Sequence, residues 1–327
     1  MTMMRIALWG PLFVAALLVG AYIYIHDPFA RDGTDLLQVP LSEEDPALDR
    51  VGDLKYLGGL DIPRMEQNIG GLSGLRWDAE NGRLIALTDD ARRIKITPDE
   101  ENEVLVGLGK VASGMLFDRD GEWLTGKEHG DSESLTRKAD GSWLVSFERD
   151  HRIWAYPSHF PNRPVPNQID PVAVLGALED NAGVEAMATT GDGAMLLCAQ
   201  RPVHGSLANC ALDRTGDGQF VPFAALLPAA VAEKGAVPTD ADALSDGTFL
   251  ILFRSYSPAE GNTAAIVAYA PDGSRREIAT FLPPLTVDNF EGLAVREEGD
   301  RTFIYIVSDD NFSGSQATLL MKFELVG

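Results

Sequence analysis

The feature that most limits what this chain can fold into is a strand-and-turn unit that recurs roughly every fifty residues. Five runs carry it: "GRLIALTDD", "GSWLVSFERD", "GAMLLCAQR", "GTFLILFRS" and "RTFIYIVSDD". Each lies beside a glycine-containing turn and then alternates, or stays apolar, for the length of a strand. In the second, Trp143, Val145 and Phe147 alternate with Leu144, Ser146 and Glu148. A shorter strand-like segment precedes each run. Stacking the units aligns Ser73, Glu133, Glu185, Asp242 and Glu291, which by subtraction lie 60, 52, 57 and 49 residues apart. Strand-built repeats of this length predict an all-β fold, a β-propeller. Residues 100–128 can supply one more irregular set of strands, so six blades are expected, with five as the alternative. Long amphipathic helices are nearly absent; Ala224–Lys234 is the best candidate, and Pro228 keeps it short.

The aligned marker is acidic in four of the five units. In a propeller the innermost strands surround a central channel, so matching positions converge on its axis. Carboxylates gathered there repel one another unless a cation neutralises them. Calcium, which takes six to eight oxygens in irregular geometry, suits them better than zinc. Fifteen residues after the first three markers lie Thr88 (beside Asp89), Glu148 and Gln200; the corresponding places in the later units are Phe253 and Asp309. These positions define the candidates. Glu133 and Glu185 are candidate proton acceptors, and Asp89, Glu148, Asp242, Glu291, Asp309 and Asp310 are candidate metal ligands. Arg149, Arg201 and Arg254 follow strand ends, and with Asn311 they are candidates for holding an anionic substrate. The structural alternative is that the carboxylates accept hydrogen bonds from nearby backbone N–H groups and the arginines serve as salt-bridge partners.

Charge narrows the partners. Among 327 residues, 27 are basic and 49 acidic, a net charge of -22. Nucleic acid and anionic membrane surfaces are repelled by such a chain. The five histidines show no metal-ligand spacing, and Asp131, beside His129, reads as part of a solvated loop. Cys198 and Cys210 flank one hairpin; a disulfide and two buried thiols are both open. Residues 6–25 carry no charge and follow Arg5, which predicts a span of the inner membrane with the body exported, or a cleaved signal. The expected layout is residues 1–30 as signal anchor or signal peptide, 31–50 as polar linker and 51–327 as one domain. That places the domain in the periplasm, anchored to the inner membrane or secreted after cleavage.

"GLSGLRWDAENGRLIALTDD", "ESLTRKADGSWLVSFERDHRIWAY", "VEAMATTGDG", "NFEGLAV" and "VSDDNFSGSQATLLMKFEL" together resemble the bacterial phytase-like family, also described as having esterase-like activity of phytase. The resemblance covers residues 50–326. It implies an exported propeller that hydrolyses phosphate or other esters; for such a hydrolase the clustered carboxylates predict Ca²⁺ as the cofactor that polarises an ester oxygen. It draws attention to Ser73, Asp89, Glu133, Glu148, Glu185, Glu291, Asp309, Asp310, Asn311 and Gln316. Phe253 departs from the pattern, since similar sequences tend to have Glu before the arginine; this removes one channel carboxylate. The competing reading is a propeller of the cell envelope that binds a ligand or protein without catalysis, because fold alone does not choose between them.

Overall fold

Both faces of the strands are apolar, and the fold explains why. In the computed structural model, which describes residues 36–63, 69–158, 160, 162–165, 167–204, 207–232, 235–313 and 316–327, the sheets stand side by side around an axis. Each sheet therefore buries two faces. Leu87, Val145 and Phe147 pack between the first and second blades, whereas Leu144, Met187 and Leu197 pack between the second and third. Each neighbouring pair encloses its own apolar cluster in this way.

Among the described residues there are five blades, each an antiparallel sheet. Blade one contains Leu72–Asp78, Arg83–Thr88, Arg92–Glu101 and Val104–Met115. Blade two has three strands, Ser132–Arg137, Trp143–Phe147 and Arg152–Tyr156. Blade three contains Val184–Thr189, Met195–His204, Leu207–Asp213 and Val221–Leu226. Blade four contains Val237–Ala243, Phe249–Ser257, Gly261–Tyr269 and Arg275–Phe281. Blade five joins Phe290–Glu298, Arg301–Ser308 and Leu319–Leu325 to Leu54–Asp61. The ring is thus closed by pairing the final strand of the chain with an early one, which leaves no open edge between the two ends. Residues 37–38 and 50–51, in and beside the stretch expected as linker, add short strands to this blade, and Leu41 is buried in its core.

The expected sixth blade does not form among the described residues. Residues 104–115 instead form the outer strand of blade one, pairing along Arg92–Glu101, and beyond them Phe117 and Trp123 make only an isolated bridge. The expected helix at Ala224–Lys234 is also corrected. Val221–Leu226 is an outer strand whose hydrogen bonds to Leu207–Asp213 outweigh alanine's helix preference, and among the described residues of that stretch only Ala229–Ala232 is helical. Cys198 and Cys210 face each other on neighbouring strands and form a disulfide. Residues 6–25 lie outside the described residues.

The channel is plugged below its mouth. Arg76, on the innermost strand of blade one, donates to Asp240 Oδ2 at 2.9 Å and Oδ1 at 3.0 Å. It also donates to the carbonyls of Leu75, Met187, Ala241 and Leu293, which hold the same ladder position in four blades. Asp240 in turn accepts N–H groups from Leu75 and Leu293. One ion pair thereby ties four innermost strands together.

Candidate functional site

Above this plug, each innermost strand carries a bulge at the start of its pairing with the second strand. The register shifts lie between Leu72 and Gly74, Ser132 and Leu135, Val184 and Ala186, Pro238 and Asp240, and Phe290 and Gly292. An extra residue at a bulge leaves the ladder and re-aims its side chain. The bulged positions are Ser73, Glu133, Glu185, Thr239 and Glu291, so the marker in blade four is Thr239, and Asp242 is misplaced by three residues. Asp242 lies deeper, accepting the Val295 N–H at 2.8 Å and sitting 3.7 Å from Arg76 Nε. Where the marker is a hydroxyl, it stitches blades. Ser73 Oγ donates to the Ser132 carbonyl and Thr239 Oγ1 to the Phe290 carbonyl.

A second ring follows from the ends of the second strands. Asp89, Glu148, Gln200, Arg254 and Asp309 each come one residue after the partner of the position before the bulge. Phe253 is fully buried in the core between blades three and four, and Arg254 takes the ring position instead. The departure noticed in the sequence is therefore an exchange of a carboxylate for a guanidinium in the ring.

Both rings open into one cavity of about 380 Å³ lined by seven carboxylates, Asp89, Asp131, Glu133, Glu148, Glu185, Glu291 and Asp309. Among the described residues two cations line the cavity with them, Lys127 and Arg254, and Arg149 reaches Asp131 from the rim. Arg254 pairs with Glu291 at 2.8 Å, and Lys127 with Asp89 at 2.9 Å. One oxygen each from Asp131, Glu133 and Glu148 lie within 4.8 Å of one another. Glu133 is 9% exposed and Glu185 5%, yet neither carboxylate has a hydrogen-bond or ion-pair partner among the described residues. Gly183 makes the crowding possible, because a Cβ there would lie 2.8 Å from that of Glu148.

The electrostatic cost shows in the acids. Burial, then repulsion from Glu185, Glu148, Asp131 and Glu291, holds Glu133 well above the usual carboxylate range. Burial, then Glu291 and Glu148, does the same to Glu185. Burial followed by Asp131 pushes Glu148 up to about 7. Asp309 also rises to about 7 through burial, although the Asn311 N–H opposes the shift. Burial raises Glu291 despite Arg254, and Asp89 despite Lys127.

The remaining sequence candidates sit elsewhere or serve the frame. Asp310 accepts N–H groups from Gly71 and Phe312, each at 3.1 Å, and so fixes the loop without lining the cavity. Arg149 donates to Asp131 Oδ2 at 2.7 Å and buttresses that carboxylate from the rim. Arg201 is exposed and pairs with Glu179, away from the cavity lining. Asn311 lines the cavity and donates through Nδ2 to Gln316 at 3.1 Å. Sequence reasoning missed Asp131, Lys127, Asn181 and Asn289. Asp131 is only 1% exposed, the opposite of a solvated loop residue. A usable signal was present: Asp131 and Asn289 stand two residues before their markers, which puts them on the same side of an extended strand.

The sequence model of the phytase-like family, described as esterase-like activity of phytase, matches residues 67–312. The chain belongs to the phytase-like family. No curated protein is significantly similar in sequence. Among solved structures, a thermostable family-43 glycoside hydrolase is 10% identical, with 78% of this chain and 90% of that chain covered and a TM-score of 0.50. A gluconolactonase from Xanthomonas campestris is 12% identical over 90% of this chain and 99% of that one, TM-score 0.42. The calcium-binding protein regucalcin from Agrobacterium tumefaciens is 9% identical over 78% and 91%, TM-score 0.43. At these identities the likeness concerns fold alone.

Proposed function

We propose that this phytase-like protein is a calcium-assisted hydrolase of phosphate esters or other anionic esters. The observation that carries the reading is a buried excess of carboxylates: seven line the cavity, two of them without partners, and among the described residues Lys127, Arg254 and, from the rim, Arg149 are the cations that meet them. Such an arrangement is costly unless a cation joins it. All-oxygen donors fit calcium, and no histidine or cysteine lines the cavity among the described residues. Asp131, Glu133 and Glu148 would hold the ion, with Glu133 moving from the role of base to that of ligand. Bound there, calcium would supply the charge that polarises an ester oxygen. Arg254 and Lys127 face the same space and orient the substrate's anionic oxygens. The Glu185 carboxylate accepts the proton of the attacking water, a task suited to an acid raised towards neutrality.

The metal-free protein should show the strain as a pH dependence. Glu148 titrates at about 7 in the fold against an ordinary 4.5, so the fold favours its protonated form. That stability is complete below the ordinary value and is lost as pH rises through about 7. The melting temperature of metal-free protein should therefore fall between about pH 5 and about pH 7.5, and calcium should reverse the fall. Turnover of p-nitrophenyl phosphate, phytate and aryl esters should require calcium and stop with chelator. A flat pH profile with no response to calcium would sink the proposal. Calcium-dependent stability with no turnover on any ester would favour the non-catalytic binding propeller.

We also infer that the propeller works outside the inner membrane, in the periplasm or secreted. The support is the uncharged stretch at residues 6–25 and the Cys198–Cys210 disulfide, a bond that persists in oxidising compartments. Recovery of the chain, reduced, from the cytosolic fraction would overturn this.

A further inference from the structure

A second cavity, of about 510 Å³, lies between blades three and four. Its lining includes the turns Thr190–Ala194 and Ser245–Gly247, which join first to second strands, so it opens on the face opposite the acidic cavity. Its volume falls within the roughly 300–1,000 Å³ typical of small-molecule sites. Its walls are of two kinds. Leu212, Phe223, Phe249 and Tyr269 supply apolar and aromatic surface, and small residues such as Ala194 and Gly247 leave the space open. Arg214 from blade three and Arg275 from blade four supply charge.

These arginines stand in a chain with 49 acidic residues. Neither has a carboxylate within 4.0 Å among the described residues, whereas Arg254 has Glu291 and Arg296 has Glu100 and Glu298. Asp192 and Asp246 also line the cavity, but both are engaged in their own turns: Asp192 accepts the Thr190 hydroxyl and Asp246 the Thr248 N–H. The four charges sum to zero, which disfavours a dianion. Two planar guanidinium groups beside an apolar chamber favour a single carboxylate attached to an apolar body. We propose that this cavity binds a small amphipathic monocarboxylate, its body against Phe223, Phe249 and Tyr269 and its head at Arg214 and Arg275.

The test is calorimetric titration of the full-length protein in nanodiscs with 1-naphthoate, using empty nanodiscs as control. Saturable one-to-one binding is expected. The neutral alcohol of the same ring, and the double variant Arg214→Ala with Arg275→Ala, should each bind about tenfold or more weakly, the loss of a charge-assisted contact. Ala194→Phe, which fills the chamber, should abolish binding. Both arginines are exposed, so the double variant should keep the parent melting temperature, which separates lost contacts from lost folding. No saturable binding, or binding that survives both the double variant and Ala194→Phe, overturns the assignment. Esterase activity plays no part in the readout, so the result stands apart from the fate of the acidic cavity.

Discussion

Arg76→Met is expected to lower the stability of the propeller by roughly 3–5 kcal/mol, the usual cost of leaving a buried charge without its partner. Arg76 is 3% exposed and Asp240 fully buried, so water cannot replace what the substitution removes. Asp240 and Asp242 would be left without their shared cation, and the carbonyls of Leu75, Met187, Ala241 and Leu293 would lose a common donor. Urea unfolding should show a lower midpoint with an unchanged slope. The melting temperature should fall by about 2 °C or more per kcal/mol. Burial already pushes the Asp240 carboxyl up to about 6 against the pull of Arg76. Without Arg76 it rises further, so the variant should lose more stability at about pH 8 than at about pH 5. Asp240→Asn, which keeps an acceptor for the surrounding N–H groups, should cost about 1–3 kcal/mol. Adding Asp240→Asn to Arg76→Met should recover part of the loss. An unchanged urea midpoint for Arg76→Met would show that the plug does not hold the blades together.

The blades were legible because alternation and glycine turns are local signals, repeated at a near-constant interval. Both aromatic and aliphatic strand faces could be recognised, since each blade buries two sides. The blade count failed because a long hairpin, Arg92–Met115, carries enough strand pattern to resemble a further unit. Whether a strand joins an existing sheet or founds a new one is decided by its pairing partner, which composition does not reveal. The rings were legible in four blades and failed in the fourth for one reason. Acidity served as the alignment key, and "TDADA" offers Asp240 and Asp242 near a marker that is in fact Thr239. Asp240 and Asp242 belong to the plug, whose partners come from distant blades and leave no pattern in the sequence. The structural reading of the arginines fits Arg149 and Arg201, which pair with Asp131 and Glu179. Arg254 faces the cavity while pairing with Glu291, so local sequence could not separate the three.

Glu133→Gln and Glu185→Gln should part company, and their divergence distinguishes a working site from a structural one. Were Glu133 a strand cap, its replacement would cost stability, because a hydrogen bond to backbone would weaken. Its carboxylate makes no such bond among the described residues and is repelled by Glu185, Glu148, Asp131 and Glu291. Glu133→Gln should therefore raise the stability of the metal-free protein at about pH 8 by on the order of 1 kcal/mol, through relief of that repulsion. The same change should weaken calcium binding by about a hundredfold, since ligand charge sets calcium affinity. Glu185→Gln should also relax the metal-free fold but leave calcium affinity within about tenfold of the parent. Its turnover should fall by about 10²–10⁴-fold, the usual contribution of a general base. Calcium titration, urea unfolding at two pH values and ester turnover on the same preparations read all three effects. Destabilisation by both variants, with calcium affinity unchanged, would return these carboxylates to a purely structural role. Equal loss of calcium binding in both would make Glu185 a fourth ligand and leave the proton acceptor to be sought at Asp309, whose carboxyl burial holds near 7 on the opposite wall of the same cavity.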